Sequence, residues 1–277
     1  MLELKFTLSH SAVNSYKNCP ALYKATYVTN AVKFETNKYN QLGNAVHKLA
    51  EWYVKDLTGQ PCYRRGIAQD PYNPANIEAA MKSADAHLVK ADDVHDHWAR
   101  LHATLSKLLG TLKASGVELN ADTVLCEAPL AMRLDPVTGV LTRADYGAKG
   151  SIRRGKVDLT ILVRDMAWVI DYKTGASIKD DGQLEQNALL VMANYPQVKT
   201  ALCMALSTQG LQPLRKTVSL SGYPEHEGVG DVLGSILNNN AAVERAYLTN
   251  EFPKTPNGLC NRFCGNKGCP HNGGYNG

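Results

Sequence analysis

The chain has 277 residues, 44% of them apolar, with a formal charge of +4. That is enough to bury a sizeable core in one large domain or two small ones. It excludes a low-complexity or disordered chain, and the net charge alone does not mark a polyanion binder. No window approaches the roughly 18 apolar residues of a membrane span, and the start "MLELKFTLSH" lacks the apolar core of a secretory signal. The sequence therefore reads as cytoplasmic, where thiols stay reduced.

In chain order, "TLSHSAVNSYKNCPALYKATYV" reads as a helix with Ser9 a plausible N-cap, which Pro20 either interrupts or restarts. "YNQLGNAVHKLAEWYVKDL" predicts a second helix with Leu42, Val46, Leu49, Trp52 and Tyr53 near one face. "GQPCYRRGIAQDPYNPAN" is a loop. Residues 75–115 predict one broken helix or two, and His95 and His97, two apart, suit a solvated helix. "DTVLCEAPLAMRL" predicts a strand and "DPVTGV" a turn. Residues 150–175 predict a hairpin in which Val157, Leu159, Ile161 and Val163 alternate with Asp158, Thr160, Leu162 and Arg164. "DGQLEQNALLVMANYP" predicts a helix, "VKTALCMALST" and "LQPLRKTVSLS" two strands, and "HEGVGDVLGSILNNNAAVERAYLTN" a last helix. The tail is rich in Gly, Asn and Cys and reads as irregular. The order predicts an α/β fold, a mixed central sheet flanked by helices, in one domain over 1–277. Within it 1–118 are mainly helical, 119–220 hold the sheet core, and 221–277 hold the last helix and the Cys cluster.

The chemistry concentrates in "GKVD" and "DYKTG". In a strand, residues i and i+2 share a side, so Asp171 and Lys173 project together with Tyr172 opposite. A tight hairpin brings Asp158 beside Asp171. Two converging carboxylates are relieved by a hard divalent cation, Mg²⁺ or Mn²⁺, and a Lys beside it can orient a water or offset phosphate charge. A D-x-K at a strand end also suits a solvated ion pair. From Arg143 to Lys179 the sequence has eight Lys/Arg against four Asp, which suits a polyanion surface or a solvated hairpin. Arg153 and Arg154 are the candidate phosphate contacts. Glu127, acidic within an apolar strand, either supports the site or faces solvent.

"GKVD", twelve residues, then "DYKTG" resembles the core of the PD-(D/E)xK nuclease superfamily, and its RecB-type branch in particular, with a restriction-endonuclease-like fold. That branch also carries "GxxxH" on an upstream helix, matched by Gly43 and His47 in "GNAVH". The resemblance implies that His47, Asp158, Asp171 and the carbonyl of Tyr172 hold Mg²⁺ or Mn²⁺, and that Lys173 positions or activates water. An isolated helix His also suits a hydrogen bond to Glu51 or to backbone, and Glu51 is left a structural or supporting residue. The family helix carries a Gln followed four residues on by Tyr. Gln183 is the preferred match over Gln186, with Asn187 where the Tyr would stand.

Seven cysteines complete the pattern. Cys126 and Cys203 sit in apolar runs and read as core, and Cys62 is isolated. "CNRFCGNKGC" places Cys260, Cys264 and Cys269 in a polar segment, which in a reduced compartment points to metal. The resemblance implies that Cys19, in "NCP", joins them around a [4Fe–4S] cluster. The family's spacing is C-x2-C-x5-C, whereas this chain has C-x3-C-x4-C. The alternative is structural Zn²⁺ on Cys260, Cys264, Cys269 and His271. Both put the metal in a structural role.

The expected function is a metal-dependent DNA nuclease, an exonuclease in recombination, repair or phage DNA metabolism, bacterial or phage-encoded. A CRISPR-adaptation nuclease, or a DNA-binding or assembly module on the same fold that no longer cuts, are the alternatives. The chain lacks a GxxxxGK[ST] loop and so carries no helicase motor. The implied partners are DNA ends and a recombination, replication or CRISPR-adaptation protein.

Overall fold

The computed structural model describes residues 8–33, 36–148, 150–179, 182–220, 227–258, 260 and 264–273. Helix α1 (His10–Asn18) starts where Ser9 Oγ accepts the Ala12 N–H. Cys19 breaks it with an extended backbone, and Pro20 sits at the first position of α2 (Pro20–Tyr23), where a missing N–H does no harm. A π-helical turn, Lys24–Val28, follows. Asn37 caps α3 (Lys38–Leu57) through its side chain. Of the two arrangements expected for 75–115, the structure has the two helices, α4 (Pro74–Ser83) and α5 (Ala91–Ala114).

Among the described residues the sheet has seven strands in the order β2-β1-β3-β4-β5-β6-β7. These are β1 (Val124–Leu134), β2 (Leu141–Ala144), β3 (Arg153–Val163), β4 (Met166–Lys173), β5 (Thr200–Ser207), β6 (Leu214–Ser219) and β7 (Glu227–Gly228). The sequence reading missed β2 and β7, each too short to show a period. The sheet is mixed. β3 and β4 form the antiparallel hairpin, and β4 and β5 run parallel. A parallel pair needs a crossover, which α6 (Gln183–Asn194) supplies; α7 (Val229–Thr249) follows the last strand.

Each face of the sheet has its own core. Leu159, Ile161, Ile170 and Tyr172 pack with α3, α4 and α5, around Val46, Leu49, Trp98 and Leu105. Val157, Ala167, Val169 and Cys203 pack with α6 and α7. A third, smaller cluster joins Leu8, Val13 and Tyr23 to Val243 of α7, which brings the N-terminal helices against the C-terminal one.

One departure from simple alternation bears on the site. Val124 and Cys126 pack on the α3–α5 side, but Ala128, Leu130 and Met132 pack on the α6–α7 side. Strict alternation puts all five on one face. β3 reverses at the facing position, so Val157 leaves the face that Leu159 and Ile161 occupy, contrary to the expected alternation. The reversal coincides with Glu127, whose φ of +49° is a left-handed conformation that a non-glycine residue holds at a cost of about 1–2 kcal/mol.

Candidate metal-dependent active site

The β1–β3 register runs Cys126 opposite Leu159 and Ala128 opposite Val157, which sets Glu127 across from Asp158. The β3–β4 ladder runs to Leu159 opposite Ile170, so Asp158 and Asp171 fall one step past its last pair. There the strands part, and the Asp158 carboxylate turns in to accept the Tyr172 N–H at 2.7 Å.

His47 reaches this point from α3. Its Nε2–H donates to the Tyr172 carbonyl at 3.1 Å. Its Nδ1 lies 3.4 Å from Asp158 Oδ1 and 3.6 Å from Glu127 Oε1. Donor atoms of His47, Glu127 and Asp158 all lie within 4.8 Å of one another. Burial disfavours the imidazolium, but the two carboxylates outweigh it and hold the His47 pKa well above its ordinary value. Burial likewise works against an ionised Asp158, yet His47, the Tyr172 N–H and Lys173 hold its pKa below the usual carboxylate range. The imidazolium thus supplies the positive charge that the two carboxylates require.

Glu51 stands apart. It pairs with Lys48 at 2.7 Å and Lys55 at 2.6 Å on its own helix. α3 comes close to the loop after β4 because Gly43 lacks a side chain: a Cβ there would sit 3.1 Å from Thr174 Oγ1.

Asp171, Lys173 and Gln183 form a second group beside the first. Lys173 Nζ is 2.7 Å from Asp171 Oδ2 and donates to Gln183 Oε1 at 2.6 Å. Gln183 Nε2 closes the ring by donating to Asp171 Oδ1 at 2.9 Å. Gln183 is the first residue of α6, placed by Gly182 at φ +81°. Burial and the nearby Asp158 charge raise the Asp171 pKa to about 6, against the pull of Lys173 and His47. Tyr172 points the other way, into the core beside Ile170.

The donor cluster adds Glu127 to the residues that the sequence singled out as ligands. Glu127 stands with His47 and Asp158, while Asp171 is engaged by Lys173 and Gln183. The sequence signal for Glu127 was an acid inside an apolar strand. Its left-handed backbone has no sequence signature.

Arg153 requires a correction. It was expected to reach a phosphate, but it is only 1% exposed, and burial lowers its pKa to about 10. Its partner across the ladder is Met132, which packs on the α6–α7 face, so Arg153 is turned inward. Arg154 projects from the opposite side. His97 is not simply solvated either: its Nδ1 lies 2.7 Å from Thr208 Oγ1, after β5.

No disulfide joins any of the seven cysteines. Burial pushes the Cys126 thiol up to about 12, in keeping with a core role. Cys19, Cys260, Cys264 and Cys269 line one cavity, and His271 lines it too. The tail that carries them is tied to the α1–α2 junction. Asn257 Nδ2 donates to the Asn18 carbonyl at 3.0 Å, and the Ala21 N–H donates to the Pro253 carbonyl at 3.2 Å.

No helix among the described residues is long and apolar enough to cross a membrane. No curated protein matches the sequence. Among solved structures the chain is similar to one described as the crystal structure of SSO0001, at 12% identity and a TM-score of 0.32, covering 95% of this chain and 96% of that one. The model of the PD-(D/E)XK nuclease superfamily matches residues 7–271. That span takes in the His47 helix, the Asp158–Asp171 hairpin and α6, and the chain belongs to the PD-(D/E)XK nuclease superfamily.

Proposed function

We propose that the chain is a Mg²⁺- or Mn²⁺-dependent deoxyribonuclease of the RecB-type branch. The supporting observation is the convergence of His47, Glu127 and Asp158 donor atoms within 4.8 Å, beside an Asp171–Lys173–Gln183 ring. Carboxylates and a carbonyl suit these hard cations. His47, giving up its Nδ1 proton as the ion takes over its role as the positive charge, would hold the ion with Asp158, Glu127 and the Tyr172 carbonyl, and Asp171 lies adjacent. When bound, the ion would supply Lewis-acid activation of the phosphodiester and a more acidic water.

The chain's own groups do the rest. Asp171 and Gln183 pin the Lys173 ammonium at one point, from which it orients the attacking water and offsets phosphate charge. Gln183 has both amide atoms engaged, so its role is to hold Lys173 and Asp171 in register. Arg154, outside the core, serves as a phosphate contact.

The Cys19, Cys260, Cys264 and Cys269 thiols fit a [4Fe–4S] cluster as a structural staple, since thiols from both chain ends line one cavity without disulfides. His271 on the same cavity supports zinc as the second reading. The role this branch implies is exonucleolytic, in recombination, repair or phage DNA metabolism, on DNA ends in the cytoplasm.

The test is Mn²⁺-dependent degradation of end-labelled linear and circular DNA by the wild type, Lys173→Ala and Asp171→Ala. Wild type should degrade the linear substrate, with each variant at least a hundredfold slower. Wild type as inactive as both variants would remove the nuclease reading, leaving a DNA-binding module, and equal cleavage by all three would remove Asp171 and Lys173 from the site. Equal cleavage of circular DNA would remove the exonuclease mode alone.

A further inference from the structure

Arg154 and Lys156 alternate with Val157, which packs on the α6–α7 side, so both project from the opposite face of β3, in a row that ends at the turn of the strand at Asp158. The row is about 13 Å long from Arg154 to Asp158. Its inner end is the donor cluster. Lys156, midway, has a side chain 59% exposed, with Nζ 3.6 Å from Glu127 Oε2. At the outer end, Arg154 is held at its backbone by the ladder to Ala131 and by donating its N–H to the Leu8 carbonyl at 3.2 Å. Its guanidinium lies over the Tyr146 ring, 5.7 Å from the centroid.

Tyr146 is 50% exposed, in the turn between β2 and β3. A guanidinium on an aromatic ring fixes the ring and enriches its stacking. An exposed ring at the end of a basic row has the chemistry of a single-strand platform. An unpaired base can stack on the ring while its phosphates meet the cations. A blunt duplex keeps its base faces covered, so the ring has little to offer it.

We propose that Tyr146, Arg154 and Lys156 form a track for single-stranded DNA. Tyr146 stacks an unpaired base, and the two cations hold the phosphates between that base and Asp158. The track deepens the nuclease reading and rests on it for the inner end of the path.

The test is fluorescence anisotropy of the full chain, in EDTA so that binding is read without cleavage. The probes are a fluorescein-labelled oligo(dT) and a labelled blunt duplex. Wild type should bind the single strand more tightly than the duplex. Tyr146→Ala should weaken single-strand binding about tenfold, and Tyr146→Phe should keep it. Lys156→Gln should flatten the salt dependence by about one phosphate contact. Wild-type affinity in Tyr146→Ala, its fold checked by circular dichroism, would overturn the proposal, and so would wild-type preference for the duplex. The two readings separate. Tyr146-dependent binding by a chain that cuts nothing supports the track and removes the nuclease reading. Cleavage by a chain whose single-strand affinity ignores Tyr146 removes the track and leaves the nuclease.

Discussion

Two residues sit in conformations or surroundings that the fold alone would not choose. Arg153 is buried with Nε and both terminal nitrogens lacking a hydrogen-bond partner among the described residues. Its pKa is depressed to about 10, so folding is penalised wherever the unfolded guanidinium is charged, and the penalty is complete at neutral pH. Arg153→Met fills similar space without a charge and should stabilise the fold by about 1–3 kcal/mol. Urea unfolding at pH 7 measures it, and a destabilised Arg153→Met would mean that Arg153 has a partner after all. Glu127 holds a left-handed backbone inside β1 and is the third member of the His47–Asp158 group. Strain kept at such a place is a mark of a functional position. Glu127→Gln preserves the backbone and removes the charge. It should lower Mn²⁺-dependent cleavage about tenfold or more with little change in thermal stability, whereas wild-type cleavage would make Glu127 a bystander.

At the scale of elements, the site is where α3, the β3–β4 hairpin and the start of α6 meet. The long elements were legible in the sequence because their periods are long. The spacing that put Asp171 and Lys173 on one side of β4 is local geometry, and β4 keeps it. Two things were not legible. The face reversal at Glu127 and Asp158 depends on one backbone angle, so strict alternation misassigned Val157. The inward turn of Arg153 depends on which strand edge and which helix cover it, and a basic pair on a strand reads as surface. The approach of α3 to the Lys173 loop depends on Gly43. Ala within a helix is favoured over Gly by about 0.5–1 kcal/mol, so Gly43→Ala should fold at least as well as wild type. The new Cβ crowds Thr174 Oγ1 and displaces the residue after Lys173, so cleavage should fall about tenfold. Adding Thr174→Ala removes the crowded atom and should restore most of it. A Gly43→Ala enzyme as active as wild type would show that the loop tolerates the shift.

At the scale of the whole molecule, the N-terminal helices are joined to α7 and the segment after it, and the joint touches the hairpin. Tyr16 OH donates to the Ala242 carbonyl at 3.1 Å, Lys24 Nζ donates to Asn250 Oδ1 at 2.9 Å, and Tyr23 stacks on Phe252. Leu8 and Ser9, just ahead of α1, lie along β3, where Leu8 accepts the Arg154 N–H and Ser9 bridges Arg154. A staple through Cys19 and the C-terminal triplet would therefore hold the helix that borders the strand carrying Asp158. Closing a loop of that length, about 240 residues, restricts the unfolded chain by up to about 5 kcal/mol in the chain-entropy view. The two metal readings assign that stabilisation to different residues. If the group is [4Fe–4S], Cys19→Ser should lose iron and the brown colour, lower the melting temperature, and reduce cleavage through the loosened α1, while His271→Asn keeps all three. If it is zinc on Cys260, Cys264, Cys269 and His271, the pattern inverts. Cys19→Ser then keeps its metal and its melting temperature, and His271→Asn loses both. Metal analysis of anaerobically purified protein, read beside the two melting curves, decides between them. If neither variant changed metal content or stability, the cavity would be a packing feature and the chain ends would be held by their hydrogen bonds and aromatic contacts alone.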